Sequence, residues 1–234
     1  MNTHPETFLQ IDKLGSRIPP YNPTFNFLNS FIDESHRRFI DCPVDGAKIQ
    51  VNWSGKIIPG SLRREDALKL YEIAYFTAED ILELGSDRGL STSILSRANH
   101  NSPNKKHIYS IDLNPKCVKA TEDNLKAAGL YKDVTIICDD AILTVKRFAS
   151  QKKQFGFIFV DHSHAYEPVY QVCRGLRKIT IKGGFCLFHD FNDRRNRDLH
   201  NKQYGVYQAV IDGLNENEFE FYGIYGCAAL YRAI

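Results

Sequence analysis

The sequence predicts an α/β fold, a doubly wound parallel sheet finished by an antiparallel hairpin, and three observations carry that expectation. From Ser61 onward, short apolar segments alternate with amphipathic ones of roughly 10–15 residues, the spacing that right-handed parallel crossovers require. Successive apolar segments end at Gly85, Asp112, Asp139/Asp140, Asp161 and His189/Asp190, so each places a polar group or a glycine where it leaves the sheet. The last two segments, 218–224 and 228–233, are joined by a link too short for a crossover and must pair antiparallel.

Taken in order, residues 1–60 differ in texture from the rest. Pro5, Pro19, Pro20, Pro23, Pro43 and Pro59 interrupt them, and a helical pattern runs only over 24–40. This stretch reads as an N-terminal extension packed on a main domain of residues 61–234. Its aromatic residues Tyr21, Phe25, Phe27 and Trp53 are available as a cover for an acceptor pocket, with packing on the sheet as the plainer role. Residues 62–76 form an amphipathic helix through Leu62, Leu68, Leu70, Ile73 and Tyr75. Strands follow at 80–84 and 107–111. Asn114 and Pro115 then open a helix as N-cap and first helical residue, and Gly129 closes it. A third strand covers 134–138. The unbroken apolar run 155–160 is the pattern of a strand covered on both faces. Residues 167–179 form a helix that leads through Gly183-Gly184 into a fifth strand, 185–188, and 204–214 form the last helix.

The charge balance is even, with 30 Lys+Arg against 28 Asp+Glu and a net charge of +2. Nucleic-acid binding usually shows as a basic stripe, and none is visible. The six cysteines stand alone without a Cys-x-x-Cys pair, which argues against a zinc site or a disulfide framework and for reduced thiols in the cytoplasm. Met1 is followed by polar residues and prolines, and no apolar run has membrane-spanning length. The expectation is a cytoplasmic protein without membrane or nucleic-acid partners.

The segment 81–92, Ile-Leu-Glu-Leu-Gly-Ser-Asp-Arg-Gly-Leu-Ser-Thr, is the most informative. An apolar strand carrying Glu83 runs into a loop held by Gly85 and Gly89, with Ser86 and Asp87 between them. Ser91 or Thr92 is placed to cap the following helix and aim its free N–H groups at a ligand. Glycines there allow close backbone approach. The loop lacks the middle glycine of the dinucleotide pattern Gly-x-Gly-x-x-Gly, which argues against a nicotinamide oxidoreductase. A carboxylate at Glu83 would repel a pyrophosphate and attract a cation such as a sulfonium or an α-ammonium. Asp112 is placed for two ribose hydroxyls, and Asp140, or Asp139 if the register shifts by one, for an adenine amino group.

These residues resemble the first three motifs of class I S-adenosylmethionine-dependent methyltransferases: Glu83-Leu-Gly-x-x-x-Gly89, Ser110-Ile-Asp112 and Asp139-Asp140-Ala141. The longer pattern adds Ser91-Thr92, Val160-Asp-His-Ser-His-Ala-Tyr-Glu167 and Gly183-Gly-x-x-x-x-His-Asp190, and is similar to a subgroup of small-molecule O-methyltransferases and their relatives. The resemblance covers residues 60–234. It implies a Rossmann-like, seven-stranded sheet with an antiparallel last strand, S-adenosylmethionine as cofactor, and a small-molecule acceptor such as a sugar or secondary metabolite. Asp87 stands where the usual loop has its central glycine, either contacting the methionine ammonium or capping the loop. A non-catalytic adenosyl-binding protein is the rival from outside enzymes.

At the chemistry edge, Asp161, His162 and His164 follow the fourth strand, and His189 and Asp190 follow the fifth. Methyl transfer from a sulfonium releases a neutral thioether, so the protein's task is alignment and, for a hydroxyl acceptor, proton removal. His164 or His189 is the expected base, with Asp161 or Asp190 either orienting it or accepting the proton directly. Related O-methyltransferases hold a divalent metal at these strand ends. Asp161 and Asp190, with His189 or Asn192 as a third ligand, make that the lesser reading here. The charged run 191–202 is either a solvated surface or a substrate lid in which Arg194, Arg195 or Arg197 grips an anionic acceptor.

Overall fold

Level strand ends are the feature of this fold that matters most for function. The computed structural model describes residues 48–234 except Leu199, Lys202 and the side chains of Arg64 and Arg197. After a small antiparallel hairpin, β1 (Val51–Trp53) and β2 (Lys56–Ile58), come seven strands: β3 (Ile81–Leu84), β4 (Ile108–Asp112), β5 (Val134–Cys138), β6 (Phe155–Val160), β7 (Thr180–Phe188), β8 (Phe219–Tyr225) and β9 (Ala228–Ala233). They form one sheet in the order β5-β4-β3-β6-β7-β9-β8. β3 to β7 run parallel, and β9 enters antiparallel to both β7 and β8. Leu84 is level with Ile111 and Val160, and Val160 with Phe188. Gly85, Asp112, Asp161 and His189, each the next residue, therefore emerge side by side.

Helices cover both faces: α1 (Arg64–Phe76), α2 (Leu90–Asn101), α3 (Pro115–Ala127), α4 (Ala141–Ser150), α5 (Tyr166–Ile179) and α6 (Val206–Gly213). Because strand side chains alternate, Ile81 packs with α1 and α2 on one face while Leu82 and Leu84 pack with α4 and α5 on the other. Glu83 shares the Ile81 face, so a fully buried carboxylate lies under α2. β6 is buried throughout and bounded as its apolar run predicts. Asn114 caps α3 by accepting the Lys116 N–H at 3.0 Å, with Pro115 at the first helical position.

Other boundaries moved for identifiable reasons. α1 begins at Arg64, two residues later than expected, since the Asp66 carboxylate takes the Arg63 N–H and fixes the helix start there. β7 begins at Thr180, directly after α5, and a register shift opposite Phe155–Phe157 lets Gly183-Gly184 sit inside the strand instead of before it. α6 is shorter than predicted at both ends. Ser91 and Thr92 do not cap α2. Gly89, with left-handed backbone, is the N-cap, and it offers no side-chain oxygen.

Trp53 is buried, donates its Nε1–H to Ser93 Oγ at 3.0 Å and lies under Arg97. It fastens the β1–β2 hairpin to α2 and is not an acceptor-pocket wall. Tyr21, Phe25, Phe27 and the helical pattern at 24–40 fall outside the described residues. No helix among those described is long and apolar enough to cross a membrane.

Gly85 needs its hydrogen side chain twice over: φ is +99°, and a Cβ there would overlap the Asp161 carbonyl. Its freedom serves packing of the loop against the end of β6, not only approach to a ligand. Gly85→Ala is expected to cost ~2–4 kcal/mol in urea unfolding. Gly129→Ala has left-handed backbone but open space around it, so it should cost only about 1 kcal/mol.

Candidate active site

A cleft of ≈ 470 Å³ opens at the level strand ends. Its walls include Gly85, Ser86, Asp87, Leu90 and Ser91 from the loop and α2, Asp161, His164, His189 and Asp190 beyond β6 and β7, and Arg195 from the following segment. The two halves of the predicted site thus face one space.

On the loop side, Asp112 Oδ2 accepts the N–H groups of Ser86 and Asp87 at 3.1 and 2.9 Å, and Oδ1 accepts that of Asn114 at 2.8 Å. Asp112 therefore shapes the glycine loop. Beneath it, Glu83 Oε2 accepts from Thr92 Oγ1 at 2.6 Å and from Ser110 Oγ, while Oε1 is buried without a hydrogen-bond partner. Burial pushes the Glu83 carboxyl up to about 7, even against the hydroxyls that favour its charged form. Asp87 is exposed at the rim, beside Arg88 and Cys117. Asp140 caps α4 by accepting the Leu143 N–H, and Asp139 binds the Asp140 N–H, Thr144 and Arg147. Asp140 thus serves as a helix N-cap, outside the cleft wall.

On the chemistry side the two candidate bases separate. His189 is buried, with Nδ1 3.2 Å from Asp161 Oδ1 and 3.5 Å from Asp190 Oδ2, and Nε2 3.5 Å from Asp66 Oδ2. Burial alone would lower its pKa, but Asp161 and the other acidic neighbours outweigh it and hold the imidazole well above its ordinary value. His164 is 47% exposed at its side chain, with Nε2 2.9 Å from Asp190 Oδ2 and its ring stacked on Tyr204. The Asp190 hydrogen bond raises its pKa above 6.5. Burial would raise Asp190, yet hydrogen bonds from His164 and His189 keep it well below the usual carboxylate range. Asp190 adopts φ +57°, and Asn196 Nδ2 donates to its carbonyl at 2.8 Å. His162 stays neutral, as burial lowers its pKa to about 4, and neither ring nitrogen has a hydrogen-bond partner.

The run after Asp190 is not a plain solvated surface. Phe191 is fully buried, Asn192, Asp193 and Asn196 are buried, and a 3₁₀ turn covers Arg194–Arg197. Arg195 lines the cleft, paired in two contacts with Asp193 at 2.9 and 3.0 Å and lying over the Tyr204 ring, whereas Arg194 points to solvent. α5 begins at Tyr166, one residue before the predicted start, with Glu167 in its first turn.

Residues 82–191 match the family model of a methyltransferase domain. The chain thus carries a methyltransferase domain. Solved structures with the same fold include the O-methyltransferase TomG from Streptomyces achromogenes, bound to S-adenosylmethionine, at TM-score 0.58 and 17% identity over 91% of this chain and 96% of that one. The O-methyltransferase from Bacillus cereus, bound to S-adenosylhomocysteine, gives TM-score 0.58 and 16% identity over 72% and 78%. A Clostridium thermocellum protein proposed to be an rRNA methylase gives 0.55 and 14% over 75% and 100%. An uncharacterised protein of Acanthamoeba polyphaga mimivirus is 26% identical over 132 residues, 51% of this chain and 56% of that protein, so the chain spans about half the length of this curated relative.

Glu83 Oε1, in β3 just before the glycine loop, has no hydrogen-bond partner, and no side-chain oxygen caps the N-terminus of α2 just after it. Two residues that sequence reasoning passed over also belong to the site. Asp66 reads as an ordinary helix first-turn acid, and Cys227 as a turn residue of the final hairpin, yet both line the cleft.

Glu83 gives a signed prediction. Its folded pKa lies above the unfolded value near 4.5, so the folded state binds the extra proton between about pH 4.5 and 7, and stability falls as pH rises through that window. The unfolding free energy of wild type minus that of Glu83→Gln should drop by roughly 2–3 kcal/mol between pH 5 and pH 8. Parallel pH profiles would show that the Glu83 carboxyl does not hold a raised pKa in the folded state.

Proposed function

We propose that this chain methylates an oxygen of a small, polar acceptor, using S-adenosylmethionine as donor. The observation that carries the reading is the single cleft in which the glycine loop meets the Asp161/His164/His189/Asp190 group. Glu83, Gly85, Ser86, Asp87, Gly89, Ser91 and Thr92 would hold the amino-acid end of the cofactor, Asp112 its ribose, and Asp139 or Asp140 its base. When bound, the cofactor supplies an electrophilic methyl group. The O-methyltransferases among the fold neighbours support oxygen as the target. Cytoplasmic residence fits this reading.

The chain's own part is to align the acceptor and remove its proton. His189 is committed to surrounding carboxylates and carries their counter-charge, so it positions them. His164 is the base. In its neutral form it donates Nε2–H to Asp190 and leaves Nδ1 to accept a proton, while Asp190 stabilises the imidazolium that forms. Lys48, Arg63 and Arg195 also line the cleft, which favours an acceptor bearing anionic or strongly polar groups over an apolar one. The cleft's size fits a metabolite-scale acceptor, and the near-neutral charge of the chain gives a nucleic acid no broad cationic footing.

A donor-consumption screen over hydroxylated small molecules tests the activity. His164→Ala is expected to lower kcat by ~10²–10⁴ with cofactor affinity nearly unchanged. Turnover with full activity in His164→Ala would remove it as base. Since the base must be neutral, kcat should rise with pH through the raised His164 pKa. Asp190→Asn, which removes the main cause of that elevation, should move the acidic limb to lower pH.

A further inference from the structure

Acid–base work by His164 leaves a second constellation unexplained. Asp66 in the first turn of α1, His189 after β7 and Cys227 in the turn just before β9 are all buried and converge at the cleft. Cys227 Sγ lies 3.3 Å from His189 Nε2 and 3.6 Å from Asp66 Oδ2, and His189 Nε2 lies 3.5 Å from Asp66 Oδ2. For a tetrahedral zinc ion, with bonds of ~2.0–2.1 Å to N and O and ~2.3 Å to S, neighbouring ligand atoms should stand about 3.3–3.6 Å apart. All three edges of this triangle agree with that expectation.

We propose that Asp66, His189 and Cys227 bind one zinc ion. The surroundings of the triangle support the site. The other imidazole nitrogen, His189 Nδ1, faces the Asp161 carboxylate, as the second nitrogen of a metal-binding histidine commonly does. The turn carrying Cys227 is drawn tightly onto α1. Gly226 has φ +61°, a Cβ there would collide with the Asp66 carboxylate, and the Cys227 N–H donates to Asp66 Oδ1 at 2.8 Å. Asp66 Oδ2, which also accepts the Arg63 N–H, remains directed to the other two donors. The carboxylates of Asp66, Asp161 and Asp190 all approach this one imidazole, so the ring is held in place by acids from three elements. Zinc entry displaces the thiol proton and the Nε2 proton to solvent. A thiolate–imidazole–carboxylate set selects zinc over magnesium. All three ligand residues line the cleft, so a fourth position opens toward the acceptor, the pattern of zinc sites that keep an exchangeable ligand.

The test uses the full chain and does not depend on methyl transfer. After zinc loading and gel filtration, elemental analysis should find roughly one ion per chain. Loading with cobalt(II) instead should produce a near-ultraviolet thiolate-to-metal charge-transfer band and visible bands of tetrahedral intensity. Cys227→Ser should abolish the charge-transfer band. Replacing the more accessible Cys117 and Cys138 with serine should leave it intact. Wild-type protein that retains no zinc would overturn the proposal, leaving Cys227 and His189 as a hydrogen-bonded pair. So would cobalt bound without a charge-transfer band, which would place the ion among the oxygens of Asp161 and Asp190, or a band that survives Cys227→Ser. The wild-type spectrum decides the matter even if Cys227→Ser fails to fold.

Discussion

The register of the four central strands is the constraint on which everything else rests. Leu84, Ile111, Val160 and Phe188 lie level, so the residues that follow them leave the sheet at one edge. Such an edge, at the carboxyl ends of parallel strands and near the point where their order reverses, is where α/β sheets hold ligands. Apolar burial sets the register, because a slip by one residue would turn Glu83 onto the face where Leu82 and Leu84 pack. The same pleat that buries Ile81 under α1 and α2 puts the Glu83 carboxylate there, and Thr92 and Ser110 are the hydroxyls that make this tolerable.

At the other end of the edge, electrostatics assign different work to two histidines only a few ångströms from the same Asp190. Both have elevated pKa values, but for different reasons. His189 is buried among three carboxylates contributed by α1, β6 and β7, so its charge holds separate segments together. His164 has one strong partner and is half open to solvent, so it can exchange a proton at small structural cost. Sequence alone left these two equivalent, because it shows which strand each follows but not how many acids each meets.

What was legible follows the range of the interaction involved. β5 and β6 lie where their apolar runs predict, and Asn114-Pro115 opens α3, since caps and periodicity are local. That these polar groups share one edge of the sheet was also readable, because parallel strands all end on the same side. Ser91 and Thr92 were misjudged as caps: Gly89 takes that position, and the Thr92 hydroxyl is drawn inward by Glu83. That contact spans two elements and leaves no local trace. Asp66 and Cys227 were missed for the same reason, being brought together across 161 positions of chain by the hairpin turn that closes the sheet. An argument from cysteine spacing has no access to such a pairing.

The central claim is that this edge receives an adenosyl sulfonium and not a dinucleotide. Isothermal calorimetry on the full chain with S-adenosylmethionine, S-adenosylhomocysteine and NAD, repeated with Asp112→Ala, tests it directly. The account predicts saturable binding of the two adenosyl-sulfur ligands, weakened by roughly tenfold or more without the Asp112 carboxylate, and no saturable heat with NAD. Tight NAD binding, or S-adenosylmethionine binding indifferent to Asp112, would contradict it.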